Sequence, residues 1–213
     1  MTVAGTDSAF LSDVRSFSAV FPDFALVDNN NMPSETVKKA AHGMFYALTD
    51  DTFLGQYRER AYVMMQIRFD GDIGFPGGLI EPEDESLTAG LNREVLEEMG
   101  SGSPSLKFEE SDFLFAHRCL ETGRVLYFYA KRISPEEFRE LELNVLKAEE
   151  YGKETLGVLR VPLYTMDDGF RGLPQFLTNS FSGNAKLQLL GGLLKAKTHS
   201  VDELRFALRN FTA

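Results

Sequence analysis

One stretch of the sequence, residues 77–102, places the strongest constraint on what this chain can fold into. It reads GGLIEPEDESLTAGLNREVLEEMGSG, with two glycines at its start, an acidic turn, and then a helical pattern. The helix is predicted to end at Gly100, because glycine readily adopts the left-handed conformation that terminates helices. With about 3.6 residues per turn, Glu94, Glu97 and Glu98 lie on one face of this helix.

Three carboxylates this close repel one another unless a cation sits among them. Hard divalent cations such as Mg²⁺ prefer oxygen ligands and rarely take a complete set from the protein, so a substrate phosphate is the expected companion ligand. A bare E-x-x-E-E pattern also has a simpler interpretation, a glutamate-rich helix face that meets only solvent. The residues around the pattern decide against that interpretation.

The wider pattern resembles the Nudix box of diphosphate hydrolases, G-x5-E-x7-R-E-U-x-E-E-x-G-U, in which U is apolar. The positions that match in register are Glu85, Arg93, Glu94, Val95, Glu97, Glu98 and Gly100. Two positions depart from it. The opening glycine of the box falls at Leu79, one residue after the glycine pair, and the closing apolar position is Ser101.

Segments outside the box are similar to one Nudix subgroup, the nuclear U8 snoRNA-decapping enzymes, also known as inosine diphosphatases. These segments are residues 64–71, 74–78, 90–94, 128–132, 161–164, 172–174 and 179–181. The resemblance covers about residues 41–194, and members of the subgroup share the extra loop residue. It implies an α/β Nudix fold, in which a mixed β-sheet is sandwiched between helices.

Composition limits the class of protein. A chain of 213 residues with 43% apolar and 25% charged residues is long enough for one globular domain with a sizeable core. Its net charge of −10 argues against broad binding to nucleic-acid backbones, but not against one nucleotide or an RNA end in a locally basic pocket. A single cysteine, Cys119, favours an intracellular compartment. We find no apolar run long enough for a membrane span and no secretory signal.

The chain is predicted to contain a lead-in, residues 1–35, and a Nudix hydrolase domain, residues 36–213. The lead-in has helical spacing over residues 8–21 and a loop over residues 29–34. Strands are predicted over residues 41–48, 62–69, 113–120, 124–133 and 156–161. Further helices are predicted over residues 134–151, 184–195 and 201–210, with a loop over residues 165–176.

Alternation in the strand over residues 62–69 separates two faces. Val63, Met65, Ile67 and Phe69 form the face expected to join the core. Tyr62, Met64, Gln66 and Arg68 form the other face, whose polar members are suited to a pocket wall.

The resemblance implies a metal site and groups that support it. The carbonyl of Gly77 and the carboxylates of Glu94 and Glu98 match metal ligands of the family, with Glu97 beside them. The expected ion is Mg²⁺ or Mn²⁺. Glu85 and Arg93 are expected to orient the catalytic glutamates rather than contact the substrate.

The resemblance also implies a nucleotide pocket. His42 matches the histidine that contacts the purine base, Phe75 a ring beside the base, Gln188 a glutamine that reaches the base, and Arg68 the arginine near the phosphates. Each has a structural alternative, because His42 and Phe75 could be core residues and Arg68 could pair only with a nearby aspartate.

The predicted reaction is metal-dependent hydrolysis of the diphosphate linkage of purine nucleoside diphosphates such as IDP, or of RNA 5′ caps. Glu98 or Glu97 is the first candidate for the general base, and Glu154 the second. Alternatives are a broad pyrophosphatase for ADP-ribose or dinucleotides, and a non-catalytic protein-binding regulator. The resemblance further implies a homodimer located in the nucleus, the nucleolus and the cytoplasm.

Overall fold

The computed structural model describes residues 8–28, 36–100 and 104–209. The helices are α1 (Ser8–Ser18), α2 (Leu87–Met99), α3 (Pro135–Asn144), α4 (Leu173–Phe176), α5 (Ala185–Lys195) and α6 (Val201–Leu208). The strands are β1 (Phe24–Leu26), β2 (Lys39–Leu48), β3 (Thr52–Phe53), β4 (Tyr57–Arg58), β5 (Ala61–Arg68), β6 (Ile73–Gly74), β7 (Gly77–Leu79), β8 (Phe113–Cys119), β9 (Val125–Arg132) and β10 (Thr155–Arg160). Short 3-10 helices cover Pro104–Leu106, Glu110–Asp112 and Val145–Lys147.

The main sheet is mixed, with strand order β1-β8-β9-β2-β5-β10. The β2–β9 pair is parallel, and the other pairs are antiparallel. One edge of β2 changes partner along its length. Its first residues, from Ala40 to His42, pair with β7, whereas its last residues, from Tyr46 to Leu48, pair with β5. β5 therefore diverges from β2 at the point where the glycine loop approaches the sheet.

Helices cover both faces of the sheet, and alternation along the strands separates two apolar layers. In β2, Met44 packs in the cluster formed with α1, α5 and α6, and Phe45 packs in the cluster formed with α2 and α3. In β5, Met65 packs in the first of these clusters and Met64 in the second. This sandwich of a mixed sheet between helices is the predicted α/β architecture.

Helix α2 is capped at both ends and terminates at Gly100, as the sequence predicted. The hydroxyl of Ser86 accepts a hydrogen bond of 3.0 Å from the Ala89 amide, which satisfies a free N–H group of the first turn. Gly100 ends the helix with φ of 67°. A Cβ there would also lie 2.8 Å from the Asn144 carbonyl oxygen, so glycine is required both by conformation and by close approach.

Several predicted boundaries were wrong. The predicted helix over residues 134–151 ends at Asn144 and continues as a 3-10 turn, after which the amide of Glu150 bonds to the Glu97 carbonyl of α2. The predicted loop over residues 165–176 contains α4. The expected core face of the strand over residues 62–69 is exposed at its end, by 38% at Ile67 in β5 and by 59% at Phe69, which follows β5.

The lead-in contains the predicted helix, α1, whose Val14 and Phe17 are buried in the core against α5. The strand β1 that follows pairs with β8. The predicted loop over residues 29–34 lies outside the described residues, and the division at residue 35 stays a prediction. Within the described ranges, no helix is long and apolar enough to cross a membrane.

Candidate active site

A cavity of about 690 Å³ opens where β5 diverges from β2. Ten of the eleven predicted site residues line it: His42, Arg68, Phe75, Gly77, Arg93, Glu94, Glu97, Glu98, Glu154 and Gln188. The exception is Glu85. A larger cavity of about 1040 Å³ lies at the other end of β2 and contains none of these residues. The smaller cavity is the candidate active site, because it holds the acidic groups of the motif.

Glu98 is 2% exposed and is held by two donors. The Gly77 amide donates to Oε2 at 2.7 Å, and Nε2 of Gln66 donates to Oε1 at 2.9 Å. The Thr155 hydroxyl in turn donates to Oε1 of Gln66 at 3.2 Å. Burial raises the pKa of Glu98 to about 7, although these donors and Arg68 oppose the increase. The carboxyl group is therefore fixed in place and is sensitive to any added positive charge.

Arg93 fixes the other two glutamates of the motif. Its Nη1 donates to Glu94 at 2.9 Å and to Glu97 at 3.4 Å, while its Nε and Nη2 each donate to Asp84 at 3.2 Å. This fork holds the pKa of Asp84 below its usual value. Glu85, expected to support the site, is instead an exposed residue of the turn before α2.

The two glycines of the loop are required for different structural reasons. Gly77 has φ of 128°, and a Cβ there would overlap the Ala41 carbonyl oxygen of β2. At Gly78, a Cβ would lie 2.5 Å from Oε2 of Glu94, so a side chain would displace that carboxylate. The glycine pair therefore lets the loop lie against both β2 and the acidic face of α2.

The site has the chemistry of a divalent-cation site. Burial raises the pKa of Glu94, and repulsion from Glu97 and Glu154 adds to the increase. The carboxylates are hydrogen-bonded to Arg93 and Gln66. Within the described ranges, no three potential ligand side chains lie close enough together to hold a metal ion in this conformation. A crowded set of carboxylate oxygens, together with the space left by Gly78, nevertheless fits an oxygen-liganded ion such as Mg²⁺ or Mn²⁺.

The opposite wall of the cavity carries buried polar atoms without partners. Nδ1 of His42 and Nε2 of Gln188 are both buried and form no hydrogen bond among the described residues. Burial, with contributions from Arg68 and Arg124, lowers the pKa of His42 to about 4, so its imidazole is neutral at pH 7. Unsatisfied buried groups are unfavourable by about 1–3 kcal/mol each, and a polar ligand would remove that cost.

Phe75 and Arg68 line the cavity and also make the structural contacts that the alternative interpretation predicted. Phe75 is 1% exposed and packs against Phe128 with ring centroids 5.1 Å apart, so it belongs to the core as well as to the cavity wall. Arg68 pairs with Asp70 at 3.3 Å, as one alternative proposed. Its guanidinium nevertheless lines the cavity and lowers the pKa of both His42 and Glu98.

Sequence reasoning missed several residues of this site. They are Phe24, Gln66 as the partner of Glu98, Asp84, Arg124, Glu150 and Asn184. The placement of Gln66 on the polar face of its strand was a usable signal, and the proximity of Asp84 to Arg93 in sequence was another. The others approach through turns and long-range packing, which carry no periodic pattern.

A profile of the family described as Nudt16-like, U8 snoRNA-decapping enzyme-like, matches residues 39–198. The chain belongs to this family. The U8 snoRNA-decapping enzyme of Mus musculus is 42% identical over 160 residues, which cover 75% of this chain and 82% of that protein. The Tudor-interacting repair regulator protein of Homo sapiens is 39% identical over 155 residues, which cover 72% of each.

Among solved structures, a MutT/nudix family protein from Enterococcus faecalis aligns with a TM-score of 0.48 and 12% identity, covering 95% of this chain and 80% of that one. Membership of the Nudt16-like family, together with the 42% identity to the mouse enzyme, confirms the prediction of a Nudix-type enzyme. The acidic face of α2 is therefore the Nudix box of a Nudt16-like protein.

Proposed function

We propose that this protein hydrolyses the diphosphate linkage of purine nucleoside diphosphates of the IDP type, or of RNA 5′ caps. The observation that carries the proposal is one cavity with carboxylates on one wall and free base-binding groups on the other. Glu94, Glu97 and Glu98 stand on the α2 side, and Nδ1 of His42 and Nε2 of Gln188 on the α5 side. A nucleotide has this same arrangement, a diphosphate at one end and a base at the other.

Glu94, Glu98 and the Gly77 carbonyl would hold the Mg²⁺ or Mn²⁺ ions. Ions bound there would supply Lewis-acid chemistry, polarising phosphoryl oxygens and lowering the pKa of water. Arg68 lines the same cavity, and its charge acts on both His42 and Glu98, so its paired N–H donors can bind a diphosphate held near both. The Gly77 amide and Gln66 fix the carboxylate of Glu98, so it needs little reorganisation during the reaction.

The hydrogen bonds of the glutamates support Glu97 as the general base. Both oxygens of Glu98 accept bonds from the protein, which favours a ligand role. Among the described residues, the carboxylate of Glu97 has only a long contact of 3.4 Å to Arg93, and its side chain is 37% exposed, so it can accept a proton from water. Glu154, in the exposed segment before β10, is the second candidate.

The free group of Gln188 favours hypoxanthine or guanine over adenine. Its Nε2 is a donor without an acceptor among the described residues. Inosine and guanosine offer O6 and N7 as acceptors, whereas adenine carries a donating amino group at the position of O6. We therefore expect IDP and guanosine caps to be better substrates than ADP-ribose.

A turnover panel with IDP, GDP, ADP-ribose and capped RNA, with Mg²⁺ or Mn²⁺, tests the proposal. We expect the Gln188→Leu variant to lower kcat/KM for IDP by about tenfold, the value of one lost hydrogen bond, and to leave ADP-ribose turnover within about twofold. The proposed function would be contradicted if none of these substrates were hydrolysed in a metal-dependent reaction. A preference for ADP-ribose that survives Gln188→Leu would favour the broad pyrophosphatase instead.

Similarity to the human Tudor-interacting repair regulator protein supports a second candidate, binding to a protein partner. The intact set of Glu94, Glu97 and Glu98 favours catalysis, and the turnover panel separates the two. Family membership also supports a homodimer located in the nucleus, nucleolus and cytoplasm. Light scattering of the purified chain and imaging of a tagged chain test these two points.

A further inference from the structure

A third cavity, of about 490 Å³, adjoins the candidate active site. Its lining residues are Thr36, Val37, Lys38, Arg118, Thr122, Gly123 and Arg124. Thr122 and Arg124 also line the candidate active site, so the two cavities are direct neighbours. Three of the seven lining side chains are cationic and none is acidic, in a chain whose net charge is −10. We name this third cavity the basic annex.

The sheet brings the three cations of the basic annex together. Strands β8, β9 and β2 are neighbours, and Val125 of β9 is opposite Arg118 of β8 and Lys39 of β2. The Val125 amide also donates to the Lys38 carbonyl at 3.0 Å. Arg118, Arg124 and Lys38 therefore lie at one end of three adjacent strands, because each is at or next to this row.

The turn between β8 and β9 fixes the backbone of Arg124. The Cys119 amide donates to the Arg124 carbonyl at 2.9 Å, and the Gly123 amide donates to the Cys119 carbonyl at 2.9 Å. Gly123 has φ of 71°, which a side chain would strain. The guanidinium of Arg124 is thus presented at the junction of the two cavities by a defined turn.

Among the described residues, the cations of the basic annex have no ion-pair partner. Nε of Arg124 is buried without a hydrogen-bond partner among the described residues. The ion pairs that the structure records over the described ranges include none of Lys38, Arg118 and Arg124. Elsewhere most arginines are paired, as Arg93 is with Asp84. An unpaired, partly buried guanidinium is unfavourable unless an anion satisfies it.

We propose that the basic annex is a phosphate-binding subsite, which holds phosphate groups that a substrate carries beyond the diphosphate at the carboxylates. Guanidinium groups bind phosphate oxygens through two parallel N–H bonds, and a lysine adds a mobile positive charge. The ligand chemistry is phosphate, from either a nucleoside polyphosphate or an RNA backbone. The inference rests on the proposed function, since it extends the same site.

The test compares a double variant with a matched control. Lys38→Gln with Arg118→Gln removes two exposed cations from the basic annex and keeps Arg124. Arg132→Gln with Lys195→Gln removes the same charge from the cavity at the other end of β2. Fluorescence anisotropy in Ca²⁺ measures binding of a labelled, capped oligoribonucleotide of about ten nucleotides, a length that spans both cavities. The kcat/KM values for IDP, guanosine tetraphosphate and the capped oligoribonucleotide are measured in Mg²⁺.

We expect the basic-annex variant to bind the capped oligoribonucleotide about tenfold more weakly, with a shallower dependence on salt, while its kcat/KM for IDP stays within about twofold. A matching loss for guanosine tetraphosphate alone assigns the subsite to polyphosphate, and a loss for the oligoribonucleotide alone assigns it to RNA. Either supports the subsite.

Unchanged binding and turnover of both long substrates would overturn the proposal. So would an equal loss in the control variant, because the effect would then be one of overall charge. If the unsubstituted protein hydrolyses no substrate, the proposed function fails, and the anisotropy measurement still decides on the subsite. Thermal unfolding of both variants verifies that they are folded.

Discussion

Nε2 of Gln66 donates a hydrogen bond of 2.9 Å to Oε1 of Glu98, and both side chains are buried between the sheet and α2. The bond connects strand β5 to the helix that carries the acidic motif. The Thr155 hydroxyl extends it to β10. The position of the carboxylate is therefore set by the sheet as well as by its own helix.

Replacing Glu98 by Gln is expected to preserve the fold and to lower turnover by about a thousandfold, because a metal glutamate contributes several kcal/mol to the transition state. The amide fits the same space, since Gln66 can reverse its amide and donate to Thr155 instead. Steady-state kinetics at saturating Mg²⁺ and Mn²⁺ measure the effect, with thermal unfolding as the control for folding. An undiminished rate at saturating metal would remove Glu98 from the mechanism.

Replacing Gln66 by Leu is expected to weaken Mn²⁺ binding by about tenfold to a hundredfold, because a residue that orients a ligand typically contributes that much. It leaves Oε1 of Glu98 buried without its donor. Calorimetric titration with Mn²⁺ measures the change. Thr155→Val removes only the outer member of the network and should have a clearly smaller effect. Equal effects of the two variants would mean that general destabilisation, rather than loss of the direct bond, is responsible.

Replacing Gly77 by Ala is expected to cost at least about 3 kcal/mol of the free energy of unfolding, since it combines a strained φ with overlap of a backbone oxygen. Gly152 is the matched control, because it has φ of 82° and a Cβ added there would meet no atom within 4 Å. Gly152→Ala should cost only about 1 kcal/mol, the strain of the left-handed conformation. Urea denaturation measures both, and a similar cost for the two would show that the contact with β2 is unimportant.

Stability should depend on pH through His117, which is fully buried and bonded to Asn184 at 3.3 Å. Burial lowers the pKa of His117 from 6.5 to about 4. Below pH 6.5 the unfolded chain binds a proton that the folded chain does not, so stability falls as the pH falls from 6.5 toward 4.

Between about pH 7 and about pH 5.5, this linkage amounts to about 1 kcal/mol. The decrease in unfolding free energy should be smaller by that amount in the His117→Gln variant. Asn184→Ala keeps the imidazole and should therefore retain the pH dependence, whatever its effect on stability. Urea denaturation at the two pH values gives both numbers, and equal decreases in the unsubstituted protein and in His117→Gln would refute the linkage.

The longest regular elements were predictable from the sequence. Glu94, Glu97 and Glu98 share a face as their spacing required, and Ser86 and Gly100 cap α2. Alternation located β5 to within one residue at each end, with strand Ala61–Arg68 against the predicted residues 62–69. These features depend on local spacing, which a single sequence displays directly.

The contacts between elements were not predictable in the same way. The strands β6 and β7 contain two and three residues, too few for a periodic pattern. The bond from Gln66 to Glu98 joins residues 32 apart, and that from Thr155 to Gln66 joins residues 89 apart. The fork from Arg93 selects Asp84 over Glu85 because of how the acidic turn folds, which side-chain charge alone does not specify.

The change of partner along one edge of β2 has a consequence for recognising enzymes of this kind. If the ladder between β2 and β5 continued without interruption, a chain could keep every glutamate of α2 and still have no room for a nucleotide. The acidic residues supply affinity for cations, and the break in the ladder supplies the space. A search for active members among divergent relatives should therefore score the interrupted pairing alongside the glutamates.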